Sequence, residues 1–179
     1  MVYVFLANGF EEIEALGFTD ILRRADIEVS TVSIYTDLKV TGSHGISVLA
    51  DMSICELDLN EIDALVLPGG MPGTLNLQVE RKVNDIIDYA VNNRKIIGAI
   101  CAAPMILGEK KLLEDKKATC YPGFEEKLHG AYATGERVVK DDIFVTSKGA
   151  GTVQDFAHCF IKIFKGEEVA DKIISSMQY

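Results

Sequence analysis

Short apolar runs and longer amphipathic stretches alternate along this chain. Val2–Leu6 is an unbroken apolar run of strand length. Residues 11–25 carry apolar positions at helical spacing, and 28–34 read as a second strand. Residues 39–41 and 46–50 flank Gly42-Ser43-His44-Gly45, a hairpin signal. Ala64–Leu67 is a buried strand closed by Pro68-Gly69-Gly70. Val79, Val83, Ile86, Ile87 and Ala90 mark one face of a helix ending near Asn92-Asn93. Residues 95–100 form a strand that runs into Cys101, and 118–120 and 143–146 are shorter strand candidates. Val153, Phe156, Ala157, Phe160 and Phe164 make the apolar stripe of a late helix. Gly166 ends it, and Glu167–Ser176 predicts one more helix.

Such β/α alternation predicts a mostly parallel sheet with helices on both faces. Sites in these sheets lie beyond the carboxyl ends of the strands. Three loops are therefore expected to converge: Asn8-Gly9-Phe10, Pro68-Gly69-Gly70 and Cys101-Ala102. No repeat, low-complexity tract or linker divides the 179 residues, and one domain is expected over 1–179.

Composition narrows the partners. The chain is 48% hydrophobic, which fits a globular fold. Lysine and arginine number 18 against 27 acids, a net charge of −9. That balance argues against nucleic-acid or anionic-membrane binding, and no run approaches the length of a membrane span. The apolar start lacks a basic leader and reads as a first strand, so the cytoplasm is the expected compartment. Cysteines 55, 101, 120 and 159 show no CxxC spacing and no clustered histidine, so no metal site is expected.

The chemistry-bearing signal is Cys101. It follows a buried strand and precedes Ala102-Ala103-Pro104, and proline suits the first turn of a helix. A sharp strand-to-helix turn there is a nucleophile elbow, where free N–H groups and the helix dipole favour thiolate. A small buried residue at a strand end is the competing reading. Glu14 is the second signal. On a wheel of about 100° per residue counted from Phe10, it falls near 40°, inside the apolar arc, while Glu12 falls near 200°. A carboxylate in a buried stripe must be paired, hydrogen-bonded or protonated. The alternative role, an acid favoured by the helix dipole, suits Glu11 and Glu12 better. Gly69 and Gly70 allow close backbone approach, and with the Ala102 N–H they could line an oxyanion hole. His44, His129 and His158 read as surface or turn residues, Cys55, Cys120 and Cys159 as packing or surface residues, and Arg24 as a solvated helix end.

Four segments together resemble the ThiJ/PfpI superfamily, in the branch of the Parkinson-disease-associated protein deglycase or glyoxalase III. They are Leu6-Ala7-Asn8-Gly9-Phe10-Glu11-Glu12-Ile13-Glu14, Leu67-Pro68-Gly69-Gly70, Ala99-Ile100-Cys101-Ala102-Ala103-Pro104 and Thr146-Ser147-Lys148-Gly149-Ala150-Gly151-Thr152. The resemblance covers nearly the whole chain. It implies a flavodoxin-like three-layer α/β sandwich with a cysteine nucleophile elbow. By position, Cys101 resembles the family's oxidation-prone nucleophile and Glu14 the acid beside it. Gly69, Gly70 and Ala102 resemble its small anion-binding pocket. Arg24 matches a family arginine on the first helix, at the interface of what are usually homodimers. Two departures stand out. Tyr121 occupies the place of a histidine often found beside the nucleophile. Cys101-Ala102-Ala103 replaces the Cys-His-Gly of protease-like members, so a Cys–His–acid triad is not expected. The implied function is action on small α-oxoaldehydes without cofactor or metal. The alternatives are a redox sensor or chaperone working through Cys101 oxidation, and an amide or ester hydrolase.

Overall fold

The computed structural model describes residues 1–179. The chain runs through β1 (Val2–Leu6), a helix entered at Ile13 that continues as α1 (Phe18–Arg24), β2 (Val29–Ser33), β3 (Lys39–Thr41) and β4 (Ser47–Leu49). Next come β5 (Met52–Ser53), β6 (Ala64–Leu67), α2 (Gly73–Val79), α3 (Arg81–Asn92), β7 (Ile96–Ile100) and α4 (Pro104–Glu109). Then follow β8 (Lys117–Ala118), β9 (Tyr132–Ala133), β10 (Val138–Asp141), β11 (Phe144–Ser147), α5 (Val153–Lys165) and α6 (Glu167–Ser176). The main sheet has the order β10-β11-β7-β6-β1-β2-β5. Every pair in it is parallel except β10 with β11. This is the predicted mostly parallel α/β sandwich.

The period of two along each strand splits the core. Val2, Val4, Leu6, Ala64 and Val66 face a cluster built with α1 and α5. Tyr3, Phe5, Leu65 and Leu67 face a second cluster built with α3 and α4. Both clusters exclude water, and each fully buried large side chain contributes roughly 1.5–3 kcal/mol. In the first, Phe18, Phe156 and Phe160 stack with ring centroids 5.0 to 5.2 Å apart. No helix is long and apolar enough to cross a membrane.

Several boundaries differ from the sequence reading. Val79 is the last residue of α2 and is 79% exposed; it is not on the face of α3. Glu80 is extended and caps α3 by accepting the Lys82 N–H, which breaks the periodicity between the two helices. Of 118–120 only Ala118 lies in a strand, and it pairs with β9 outside the main sheet. The edge strand β5 has only two residues, and β10, Val138–Asp141, is half charged, so neither carries an apolar strand signal. The first helix is not uniform either: Ile13–Gly17 is wound as a π-helix before α1 takes over.

From β1 the chain builds outward one way to β2 and β5, then returns to build β6, β7 and β11 the other way. The strand order thus reverses beside β1, and the loops after β1, β6 and β7 meet over that switch point.

Candidate active site

Cys101 adopts φ 65, a left-handed conformation that β-carbon sterics disfavour. Its backbone is pinned on both sides. Its N–H donates to Ser147 O at 2.9 Å, and its carbonyl accepts the Tyr121 N–H at 2.8 Å. The turn closes through Ala103 N–H to Ile100 O at 3.0 Å, and α4 starts at Pro104. The strand end, the turn and the proline together hold the thiol at the tip, half-buried.

Glu14 comes to it from the π-wound turn. The carboxyl is 1% exposed. Its Oε2 accepts the Gly69 N–H at 2.8 Å, and its Oε1 is buried without a hydrogen-bond partner. Gly69 makes room for both groups: a β-carbon there would lie 2.6 Å from Cys101 Cβ and 2.7 Å from Glu14 Oε2. Gly70 takes φ +89, and a β-carbon on it would meet Glu11 N and Gly9 O at 2.5 Å. The converging loops are tied by Glu11 N–H to Gly69 O at 2.9 Å and Gly73 N–H to Gly9 O at 3.1 Å. A fourth loop, after β11, adds Gly149. A β-carbon on Gly149 would lie 3.3 Å from the Tyr121 ring, 3.8 Å from Glu14 Oε1 and 3.9 Å from Cys101 Sγ.

The electrostatics couple the pair. Burial pushes Glu14 up to about 7, against the Gly69 N–H and the adjacent Cys101 thiol, which favour its charged form. Burial, then the neighbouring Glu14 carboxylate, push the Cys101 thiol up to about 12. The N–H groups of Ala102 and Gly70 pull the other way and lose. These shifts run against the expected thiolate. Desolvation and the neighbouring carboxylate outweigh the turn's free N–H groups, and α4 is only 6 residues long. What the site provides is a thiol beside a base. When Sγ gives its proton to Glu14, the carboxylate charge disappears and the new acid can hydrogen-bond the sulfur.

The structure thus brings Cys101, Glu14, Gly69, Gly70, Ala102 and Tyr121 together, with the Tyr121 side chain at the open edge. It does not bring Arg24 to the thiol within one chain. The first helix starts near the carboxyl edge of the sheet and runs back, so its last turn lies at the opposite edge; there Arg24 pairs with Asp20 at 2.7 Å. Gly149 was not identified as a site residue. Its signal was a glycine in the turn that follows an apolar strand.

Glu12 also departs from the wheel. It is 5% exposed, because the β3–β4 hairpin folds over the side of the helix that faces away from the core. It accepts from His44 N at 2.8 Å and lies 2.9 Å from His44 Nδ1, so His44 is a clamp on the hairpin and not a free turn residue. Cys55 is a surface residue, one of the two places expected for it. It is exposed, with Lys82 Nζ 3.1 Å from its sulfur, and that hydrogen bond draws its pKa down. His158, half-exposed, pairs with Asp171 at 2.7 Å, in keeping with a surface role.

A mostly parallel sheet that delivers a left-handed cysteine to a helix start, with a buried acid on the facing helix, defines the α/β proteins built around a cysteine elbow. Comparison with known proteins narrows this class. The chain belongs to the DJ-1/PfpI family, whose profile matches residues 1–163. It is 37% identical over 177 residues to Protein DJ-1 homolog A of Arabidopsis thaliana, covering 97% of this chain but 45% of that longer protein. It is 31% identical to Protein dj-1beta of Drosophila melanogaster, over 97% of this chain and 94% of the relative. Among solved structures, oxidized Toxoplasma gondii DJ-1 superposes with a TM-score of 0.94 at 34% identity, covering 99% of this chain and 97% of that one.

Proposed function

We propose that this protein is a cysteine-dependent enzyme acting on small α-oxoaldehydes without a cofactor. The observation that supports the reading best is the buried, unpartnered Oε1 of Glu14 beside the Cys101 thiol. Glu14 takes the Sγ proton as the sulfur adds to the aldehyde carbon, giving a hemithioacetal. The Gly70 and Ala102 N–H groups face the developing oxyanion. Glu14 passes the Sγ proton to that oxygen, and the carboxylate so restored moves a proton from the former aldehyde carbon to the adjacent carbonyl carbon. The first carbon is oxidised and the second reduced, so no outside oxidant is needed. Water cleaves the resulting thioester, releasing a 2-hydroxy acid and restoring the thiol. Tyr121 offers a hydroxyl at the mouth but no imidazole, and a triad-type peptidase is correspondingly disfavoured. A panel of methylglyoxal, glyoxal, amides and esters, with products identified by NMR, tests the reading. Turnover of the oxoaldehydes alone supports it, and turnover of amides alone overturns it.

A second reading is redox sensing. Its support is that a neutral Glu14 can donate to an oxygen on a Cys101 sulfinate, and that one similar solved structure is of an oxidized protein. The proposal includes a cytoplasmic setting, consistent with four free cysteines. It also includes a homodimer. Ile13, Ile46 and Leu49 are 57%, 56% and 75% exposed on the first helix and the β4 hairpin, an apolar surface that a second copy would cover. Light scattering at micromolar concentration should give about twice 19.6 kDa. A clean monomer removes the dimer.

A further inference from the structure

An open groove of about 380 Å³ adjoins the thiol on the side of Tyr121. Tyr121, Pro122, Arg137, Lys148 and the turn 149–152 line it. Gly149 is the shared wall: the position of its absent β-carbon is 3.9 Å from Cys101 Sγ and 3.3 Å from the Tyr121 ring. Gly149 itself puts no side chain between the sulfur and the groove.

The charges in this groove are unusual for a chain carrying −9. Both ionisable side chains on its wall, other than Tyr121, are cationic. Arg137 is already committed. Its Nε donates to Asp155 at 2.8 Å, and its terminal nitrogen donates to Gly151 O at 2.9 Å and Tyr179 Oη at 3.0 Å. Lys148 is half-buried and forms no ion pair, while its backbone N–H is held by Arg137 O at 3.2 Å. It is the groove's one uncompensated charge. Lys148 lines the groove together with Tyr121. A half-buried ammonium is screened less than one in open water and favours an anion that can pair with it.

We infer that Lys148 and the Tyr121 groove form a subsite for a carboxylate carried by the substrate held at Cys101. The preferred substrates would then be α-oxoaldehydes with an acidic tail, with the tail lying across Gly149 and its carboxylate on the Lys148 ammonium. Tyr121, in the place where family members often carry a histidine, supplies a flat wall for the intervening carbons. This inference deepens the proposed activity and rests on it for the word substrate. The subsite itself needs only that Cys101 be reachable.

The test is built on that difference. Iodoacetylglycine and N-ethyliodoacetamide have nearly the same shape and differ by a carboxylate. Each alkylates a thiol by forming an S–C bond as iodide leaves, with no turnover required. Labelling of Cys101, mapped by peptide mass spectrometry to separate it from Cys55, gives the rate ratio of acidic to neutral reagent. The ratio is expected to be at least five-fold higher in wild type than in Lys148→Met, and to be kept in Lys148→Arg. It should also fall as salt rises. An equal ratio in wild type and Lys148→Met overturns the subsite, as does a loss of both rates in parallel, which marks Lys148 as structural. In a parallel assay, 4,5-dioxopentanoate should outcompete neutral 2-oxopentanal in wild type, and that preference should vanish in Lys148→Met. If neither aldehyde is turned over while the alkylation ratio still depends on Lys148, the enzymatic reading fails and the subsite stands.

Discussion

Glu14 Oε1 and Cys101 Sγ face one small space beside Gly149, 3.8 and 3.9 Å from the point that a β-carbon there would occupy. Neither group stands in its usual protonation range, since each is pushed up by burial and the thiol also by the charge of the acid. Two acids in one dry pocket resist holding two negative charges, so they exchange a proton instead. The proposed catalysis and the proposed oxidation chemistry both rest on that exchange.

Glu14→Gln keeps a hydrogen-bond donor at the sulfur but cannot accept a proton. Lactate formation from methylglyoxal should fall about 10²–10⁴-fold, the range of a lost general base. Peroxide should still convert Cys101 to a sulfinate in this variant. Glu14→Leu should lose both. The paired readouts are an enzymatic lactate assay and intact-protein mass spectrometry, and unchanged turnover in Glu14→Gln would remove Glu14 from the mechanism.

The raised carboxyl also predicts a pH dependence of stability. Glu14 moves from 4.5 to about 7 on folding, so between those values the folded chain binds more protons than the unfolded one. Stability from this group is fully present below about 4.5 and is lost as pH rises through about 7. The full effect is about 3 kcal/mol. Glu14→Gln should therefore gain stability over wild type between pH 5 and pH 8.5 in urea unfolding. A pH-independent difference contradicts the assignment.

Gly69→Ala tests the close approach at the heart of the site. Its β-carbon would sit 2.6 Å from Cys101 Cβ and 3.0 Å from Ile100 O, both anchored atoms. Overpacking of this kind costs about 1–3 kcal/mol. The variant should unfold at lower urea and lose turnover, whereas wild-type stability would show that the loop moves aside freely.

Thiol labelling should be biphasic. Cys55, exposed and beside Lys82, should react with iodoacetamide first. Lys82→Met should slow Cys55 and leave Cys101 unaffected. Labelling of Cys101 should rise with pH through about 7 as Glu14 becomes able to take its proton, and Glu14→Gln should abolish that rise. Equal, pH-insensitive labelling of all four cysteines would contradict both assignments.

Much of this was legible in the sequence. Continuous apolar strands and the Cys101–Pro104 turn gave the sheet and the elbow, because buried strands and helix starts have strong local signatures. Glu14 was found because a lone acid in an apolar arc violates a local pattern. The burial of Glu12 and the Lys82 neighbour of Cys55 were not legible because they come from distant segments, the β3–β4 hairpin and α3, that no local periodicity encodes. The height of the Cys101 pKa was missed for a related reason. A helix-start argument counts the N–H groups near in sequence, but not the carboxylate that tertiary packing brings from residue 14.

The central claim is that Cys101 attacks and Glu14 carries the proton. The most direct measurement is the initial rate of lactate formation from methylglyoxal by freshly reduced protein, compared with Cys101→Ser at pH 7.5. The account predicts steady turnover by wild type and none above background in Cys101→Ser, whose hydroxyl is a far weaker nucleophile in the same place. Equal rates in the two proteins, or no turnover by the reduced wild type, would contradict it.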